Sequence, residues 1–494
     1  MSKTEKRYFK MEAKRSGGKD NNYIKLYDVL NDMEEYDESK LRKKFKNSRI
    51  LKHFPQEKKY LYDAILRSLR NYRSDRSTYA QLKERILDAR YLLERGLYEQ
   101  GERMLRRARK LAEKLNDQLS MLEILREERR LITDIRGKER GKALEGLISE
   151  RYNIFDNLQL EQEFLDIQHR LFVSMTLMDG LRNEEEIKAL EENLGLSKLE
   201  INEEGLPSLA QRAYYQSKAH FYQLARQFEK ASDFQTKVLN WWDSNPVIKE
   251  EEFNRYIATI SNVIQILFKG NQYQYIPALL QKLESEEATK YHDAVLLFRL
   301  LVSNQLLYYM NMGQFDKAQS LVPKIDAGLK KYQLNARGQL VLYGNIAILL
   351  FVMNDYKDCK DWANRILKCP KTDTRQDIQR FARILIILAS YESNADDTDA
   401  LVRASQNYFS KLPGISEVDF EPVVLKYLKK IIFAPLLEKK ALIKEFDQYL
   451  QKLAEEPEKR RMLGLDELQL WTQSKLQRLP MIDLIRKKSQ NRKA

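Results

Sequence analysis

The sequence predicts an all-α protein built from stacked helical hairpins. Three observations carry that prediction. Glycine and proline are scarce, 17 and 11 among 494 residues, while Leu, Ala, Lys, Glu and Arg abound. Such side chains lose little rotamer freedom in a helix. No β-branched segment alternates with period two between hairpin turns, so no sheet is expected. A skeleton of turn, aromatic and small residue also returns at near-constant spacing through the middle of the chain.

The repeat is anchored on Phe228, Tyr273, Phe315 and Tyr356, separated by 45, 42 and 41 residues. Nine before each aromatic lie Ala219, Ile264, Leu306 and Ala347, and six before lie Tyr222, Leu267, Tyr309 and Leu350. Positions three apart share a helix face, so these make one apolar stripe. A small or turn-forming residue follows, two before the aromatic (Gly313, Asn354) or three before it (Ala225, Gly270).

Beyond the aromatic, the third position is Ala231, Ile276, Ala318 or Cys359. The seventh is Gln235, Leu280, Val322 or Ala363, and the tenth is Val238, Leu283, Ile325 or Ile366. These make a second stripe. The chain leaves one helix, reverses at the turn, fills the bend with the aromatic and returns as a second helix. One hairpin cannot bury both stripes, and stacked neighbours supply the missing wall.

This skeleton resembles the tetratricopeptide repeat family, most closely at Tyr309, Gly313, Phe315 and Ala318. The period is longer than the family's 34. The resemblance implies a right-handed α-solenoid that binds partners, with the first helix of each pair lining a concave groove. Carried over by position, the partner-binding candidates are His220, Gln223, Ser261, Gln265, Lys269, Ser303, Met310 and Asn311. The matching positions of the last copy are Ile348, Phe351 and Val352, where the groove is expected to close.

A fifth copy surrounds Tyr98, with Ala89, Leu92, Gly96, Gly101, Leu105 and Ala108 at matching offsets. Two more hairpins are expected between Tyr98 and Phe228, with turns at 136–143 and 178–186. A further pair over 380–409 would turn near Asn394–Thr398. The array then spans 80–412 with about eight hairpins. It is preceded by a disordered basic stretch over 1–22 and a helical segment over 23–79. A helical cap over 413–480 and a solvated basic tail over 481–494 follow. Pro246 and Pro370 fit helix ends, Pro277 fits a first turn, and Pro323 falls inside a second helix.

The net charge of +14 is unevenly placed. Residues 41–115 carry 22 Lys/Arg against 9 Asp/Glu, and 481–494 carry 5 against 1. The basic patch that could neutralise phosphates is Arg42, Lys43, Lys44, Lys46, Arg103, Arg106, Arg107 and Arg109. The same cations also suit a solvated helix or an acidic partner.

Catalytic groupings are absent from the sequence. Cys359 and Cys369 lack the spacing of a zinc or redox pair, read as structural thiols, and suit a reducing cytosol. His53, His169, His220 and His292 show no metal-ligand pairing, and His220 is expected as a solvated groove residue. "RGKERGKA" (136–143) has its glycines one residue too close for a phosphate loop and Ala143 where a hydroxyl is needed, so it reads as a charged turn. The acidic runs at 183–188 and 249–253 fit helix starts. Of Trp241 and Trp242, one is expected in the core and the other partly exposed.

The N-terminus has no apolar signal core, and the longest apolar runs, 340–353 and 384–391, fall short of the ~20 residues a bilayer span requires. The expectation is a non-enzymatic, cytoplasmic interaction scaffold without cofactor, metal or membrane. It would bind a peptide or partner helix in the groove. The alternative is a nucleic-acid-associated regulator acting through 41–115.

Overall fold

The computed structural model describes the chain except residues 2, 18–21, 34–35, 47, 75, 133–137, 178–183, 196–198, 200, 370–374, 413, 415, 417–418, 457–461 and 491–494. Every regular element among the described residues is helical. The first are α1 (Lys3–Gly17), α2 (Asn22–Asn31), α3 (Glu38–Lys44), α4 (Arg49–Lys52), α5 (Phe54–Ser74), α6 (Thr78–Glu94), α7 (Tyr98–Leu115) and α8 (Gln118–Leu131). Next come α9 (Lys138–Leu177), α10 (Glu184–Leu194), α11 (Ser208–Leu224), α12 (Phe228–Ser244), α13 (Pro246–Glu251), α14 (Phe253–Lys269), α15 (Ile276–Ser285), α16 (Tyr291–Asn311) and α17 (Phe315–Lys331). The last are α18 (Ala336–Val352), α19 (Tyr356–Lys368), α20 (Gln376–Glu392), α21 (Thr398–Ser410), α22 (Phe420–Phe433), α23 (Leu436–Glu455), α24 (Leu465–Gln477) and α25 (Met481–Gln490).

The chain divides into two compact units. The first comprises 1–166, 202–214 and 240–253, and the second comprises 167–201, 215–239 and 254–494. In the second, consecutive helices pair as hairpins: α16 with α17, α18 with α19, α20 with α21 and α22 with α23. The first helix of each of these pairs also packs against the first helix of the next, α16 on α18, α18 on α20 and α20 on α22. That contact pattern is the stacking of an all-α solenoid.

The aligned positions explain the stacking. Ala219, Ile264, Leu306 and Ala347 are all fully buried, and so are Ala231, Ile276, Ala318 and Cys359. Val238, Leu283, Ile325 and Ile366 are buried with them. The left-handed turn residue always sits two before the aromatic: Arg226, Asn271, Gly313 and Asn354 have φ of 58, 57, 66 and 62°. Ala225 and Gly270 therefore do not make the turn in the first two copies. The next amide then bonds back five residues, as in Gln314 N–H to the Tyr309 carbonyl (2.8 Å) and Asp355 N–H to Leu350 (2.9 Å). This Schellman bond satisfies a carbonyl that the helix end would otherwise orphan. Tyr98 follows the same rule, with Gly96 at φ 74° and Leu97 N–H on Leu92 at 3.0 Å. Asn394, at φ 51°, turns the pair over 380–409 where the sequence places it.

Several expectations are corrected. Residues 3–17 form α1, because Phe9 and Ala13, one turn apart, are buried against the segment containing Tyr27 and α5. The stretch 18–21 lies outside the described residues. The tail over 481–490 forms α25, whose Met481 and Leu484 are buried, and its Arg486 and Ser489 lie against the Gly313 turn. In both cases a short apolar stripe outweighs the charge that suggested a solvated tail.

Between α7 and α11 the helices are α8, the 40-residue α9 and α10, in place of two regular hairpins. Residues 138–143 belong to α9, where Gly141 and Gly146 have open space around them and make no turn. Residues 178–183 and Pro370 fall outside the described residues. Pro246 and Pro277 sit in first turns, and Pro323 lies inside α17. Trp241 and Trp242 are both buried, edge to face at 5.2 Å, with the Arg212 guanidinium 4.8 and 4.9 Å from their rings.

Candidate partner-binding face

α14 is apolar on one side, with Ile257, Ile260, Ile264 and Leu267 buried. Its other side exposes Asn262, Gln265 and Lys269, at helical spacing. α16 is half-buried over 294–301, 303 and 307–311, and Leu296, Leu300, Ser303, Leu307 and Met310 share one of its sides at the same spacing. Between the two helices lies a polar bridge. The buried Asn304 amide donates to Ser261 Oγ (2.9 Å) and to the Leu300 carbonyl (2.8 Å), and its carbonyl accepts from Gln265 Nε2 at 2.8 Å. Asn304 is thereby satisfied by protein, as a buried carboxamide must be. The bridge ties α14 to α16 at Ser261 and Gln265.

Gln265 and Lys269 are exposed on α14, and Ser303, Met310 and Asn311 are half-buried on α16, with Met310 packed partly on the core. Two predicted site residues are not accessible. Ser261 is buried in the bridge. His220, expected to be solvated, is also buried; its Nε2 lies 2.9 Å from Gln216 Nε2, and Gln216 in turn donates to Gln235 Oε1 at 2.9 Å. Burial pushes the His220 pKa down to about 4, with a smaller opposing effect from the Gln168 backbone. Gln235, the polar exception in its aligned column, is explained by the same pairing. Gln223 is half-buried on α11. Ile348, Phe351 and Val352 are buried, so the open face does not continue through that part of α18.

Sequence reasoning missed Asn304 and the leucine stripe of α16. The signal existed: Ser303–Asn304–Gln305 separates the apolar runs Leu300–Val302 and Leu306–Met310. The face is accordingly more apolar than its Gln, Ser and Asn candidates imply.

The basic candidates are dispersed. Arg42, Lys43, Lys44 and Lys46 are on or next to α3, beside the core of Phe9, Leu41 and Phe54. Arg103, Arg106, Arg107 and Arg109 are on α7, beside the separate core of Leu82, Leu105 and Ile124. Arg42 is paired with Glu38 at 2.8 Å and Arg106 with Glu102 at 3.2 Å. Arg109 is half-buried between Glu128 and Glu150 and is no phosphate contact. Lys43, Lys44, Lys46, Arg103 and Arg107 remain exposed. Arg126, Arg129 and Arg151, not singled out in the sequence, line a cleft of about 250 Å³ between α8 and α9.

Among the described residues no cluster of His, Cys, Asp and Glu could hold a metal ion. Both thiols are free, and burial pushes Cys359 up to about 12. Glu251, in the acidic run at 249–253, accepts from Ser77 Oγ (3.0 Å) and Tyr79 N–H (3.2 Å), which caps the start of α6.

No protein-family model and no curated protein matches this sequence. Among solved structures, the chain is similar to the apo form of the quorum sensor NprR from B. thuringiensis. The similarity has 14% identity and a TM-score of 0.39, and covers 70% of this chain and 94% of that one. A likeness this loose carries no argument about function.

Proposed function

We propose that the protein is a non-enzymatic interaction scaffold of the cytoplasm that docks a peptide or partner helix on the α14–α16 face. The observation that carries this reading is the half-buried stripe of Leu296, Leu300, Ser303, Leu307 and Met310. The buried Asn304 bridge ties α16 to α14, which exposes Gln265 and Lys269. A stripe at positions i, i+4, i+7, i+11 and i+14 matches one face of an amphipathic helix, and Gln265 and Lys269 supply orientation.

A pull-down from the source cell's lysate, with and without nuclease, tests it. Capture of a protein that survives nuclease and is lost in Ser303→Arg and in Lys269→Glu/Asn311→Ala supports the reading. Capture that ignores both variants removes this face from consideration. The nucleic-acid reading rests on exposed Lys43, Lys44, Lys46, Arg103 and Arg107. It requires capture that disappears with nuclease and weakens steeply with salt.

A further inference from the structure

The α22–α23 corner carries an apolar tip that packing does not explain. Leu437 is 95% exposed, Leu436 85% and Phe433 52%. Leucines so fully exposed are unusual for a turn, where a polar residue would cost nothing. The corner is also stiff. Ala434 (φ −71°, ψ 149°) and Pro435 (φ −56°, ψ 148°) form an extended two-residue link whose second φ is locked by the proline ring. Both helices are anchored behind it, with Leu428, Ile431, Ile443 and Phe446 buried. The tip is therefore held outward before any partner arrives.

Its surroundings are basic. Residues 426–440 contain five lysines and one acid, Glu438. Lys430 lies in the last turn of α22 and Lys429 just before it, and Lys440 lies in the first turns of α23; all three are exposed. Cations thus flank the tip on both helices. Long lysine stems can lie along apolar matter while their ammonium groups reach phosphates.

We propose that this corner seats the protein on an anionic bilayer surface. Phe433, Leu436 and Leu437 enter the headgroup region, and Lys429, Lys430 and Lys440 meet lipid phosphates. A convex tip with like charge on both sides suits a planar anionic sheet, whereas a protein partner would need a deep apolar pocket with an acidic rim. The contact is peripheral: among the described residues no helix is long and apolar enough to cross a membrane. It modifies the expectation of no membrane partner without requiring a span. Such attachment combines buried apolar area with attraction to anionic lipid, and is weak and salt-sensitive.

Cosedimentation of the full chain tests this. The probes are vesicles of equal parts phosphatidylserine and phosphatidylcholine, and vesicles of phosphatidylcholine alone. The expected result is binding to the mixed vesicles, weaker binding to the neutral ones, and a loss of roughly tenfold or more in Leu436→Asp/Leu437→Asp. That variant touches no core, so its circular dichroism and melting temperature should match the parent. Lys429→Glu/Lys440→Glu should bind less and respond less to salt. No binding to anionic vesicles, or binding unchanged in the leucine variant, overturns the proposal. So does a soluble protein captured through Leu436 and Leu437 while vesicles are ignored.

Discussion

The hairpins α6–α7 and α18–α19 turn alike but are held by different forces. Gly96 and Asn354 are both left-handed two residues before an aromatic, and Leu97 and Asp355 both bond back five residues. Around that shared turn the surroundings diverge. α18 is buried continuously from Ile346 through Val352, with α16, α17, α19 and α20 packed on it. α7 buries a single stripe, Gly101, Leu105, Ala108, Ala112 and Leu115, and is charged elsewhere. Its neighbours α6 and α8 are clamped by the buried Glu127, paired with Arg90 at 2.9 Å and Arg130 at 3.0 Å. The turn is a local property of sequence. Burial is set by how many neighbours each helix has.

The largest effect that separates the two hairpins should come from one shared position. Leu350 is buried and its counterpart Leu92 is half-buried. Leu350→Ala should cost about 3 kcal/mol and Leu92→Ala about 1, read by chemical denaturation. Equal costs would mean that both hairpins are held in the same way.

His220 gives the next effect. Its folded pKa, about 4, lies below the unfolded value near 6.5, so the neutral imidazole is favoured by folding. Its contribution is fully present above pH 6.5 and is lost as pH falls through 4. The difference in stability between the parent and His220→Gln should shrink over that window by roughly 2–3 kcal/mol. A difference that stays flat with pH would contradict the burial of a neutral ring.

Glu127→Ala should cost about 2 kcal/mol by the same denaturation assay, less than for a fully enclosed pair because its arginines reach water. The smallest effect is a gain. Arg226 holds φ 58° without glycine's freedom, so Arg226→Gly should stabilise by about 1 kcal/mol. The matching Asn354→Gly should gain less, since Asn tolerates this region.

The hairpins were legible because their signal is local. Offsets of three and seven place residues on one helix face whatever the neighbours do, and the aligned small residues are indeed fully buried. The exact turn residue was not legible, since Arg226 carries no mark of a left-handed backbone. The ends were misread for a related reason. Phe9 with Ala13, and Met481 with Leu484, are stripes too short to stand out from dense charge. The candidate face was half legible. Position in the repeat leaves Gln265 and Lys269 exposed and Ser303, Met310 and Asn311 half-buried, whereas the burial of His220 and Ser261 depends on specific partners, Gln216 and Asn304. No periodicity of the repeat announces those polar contacts.

A photo-crosslinking residue placed at Ser303, on the α16 stripe, and separately at Ser320, exposed on α17, reads the docking face itself. The expected result is one protein captured at 303 and not at 320, with capture at 303 lost when Lys269→Glu/Asn311→Ala is added. Equal capture at both positions, or capture at 303 that survives the added substitutions, would contradict docking on the α14–α16 face.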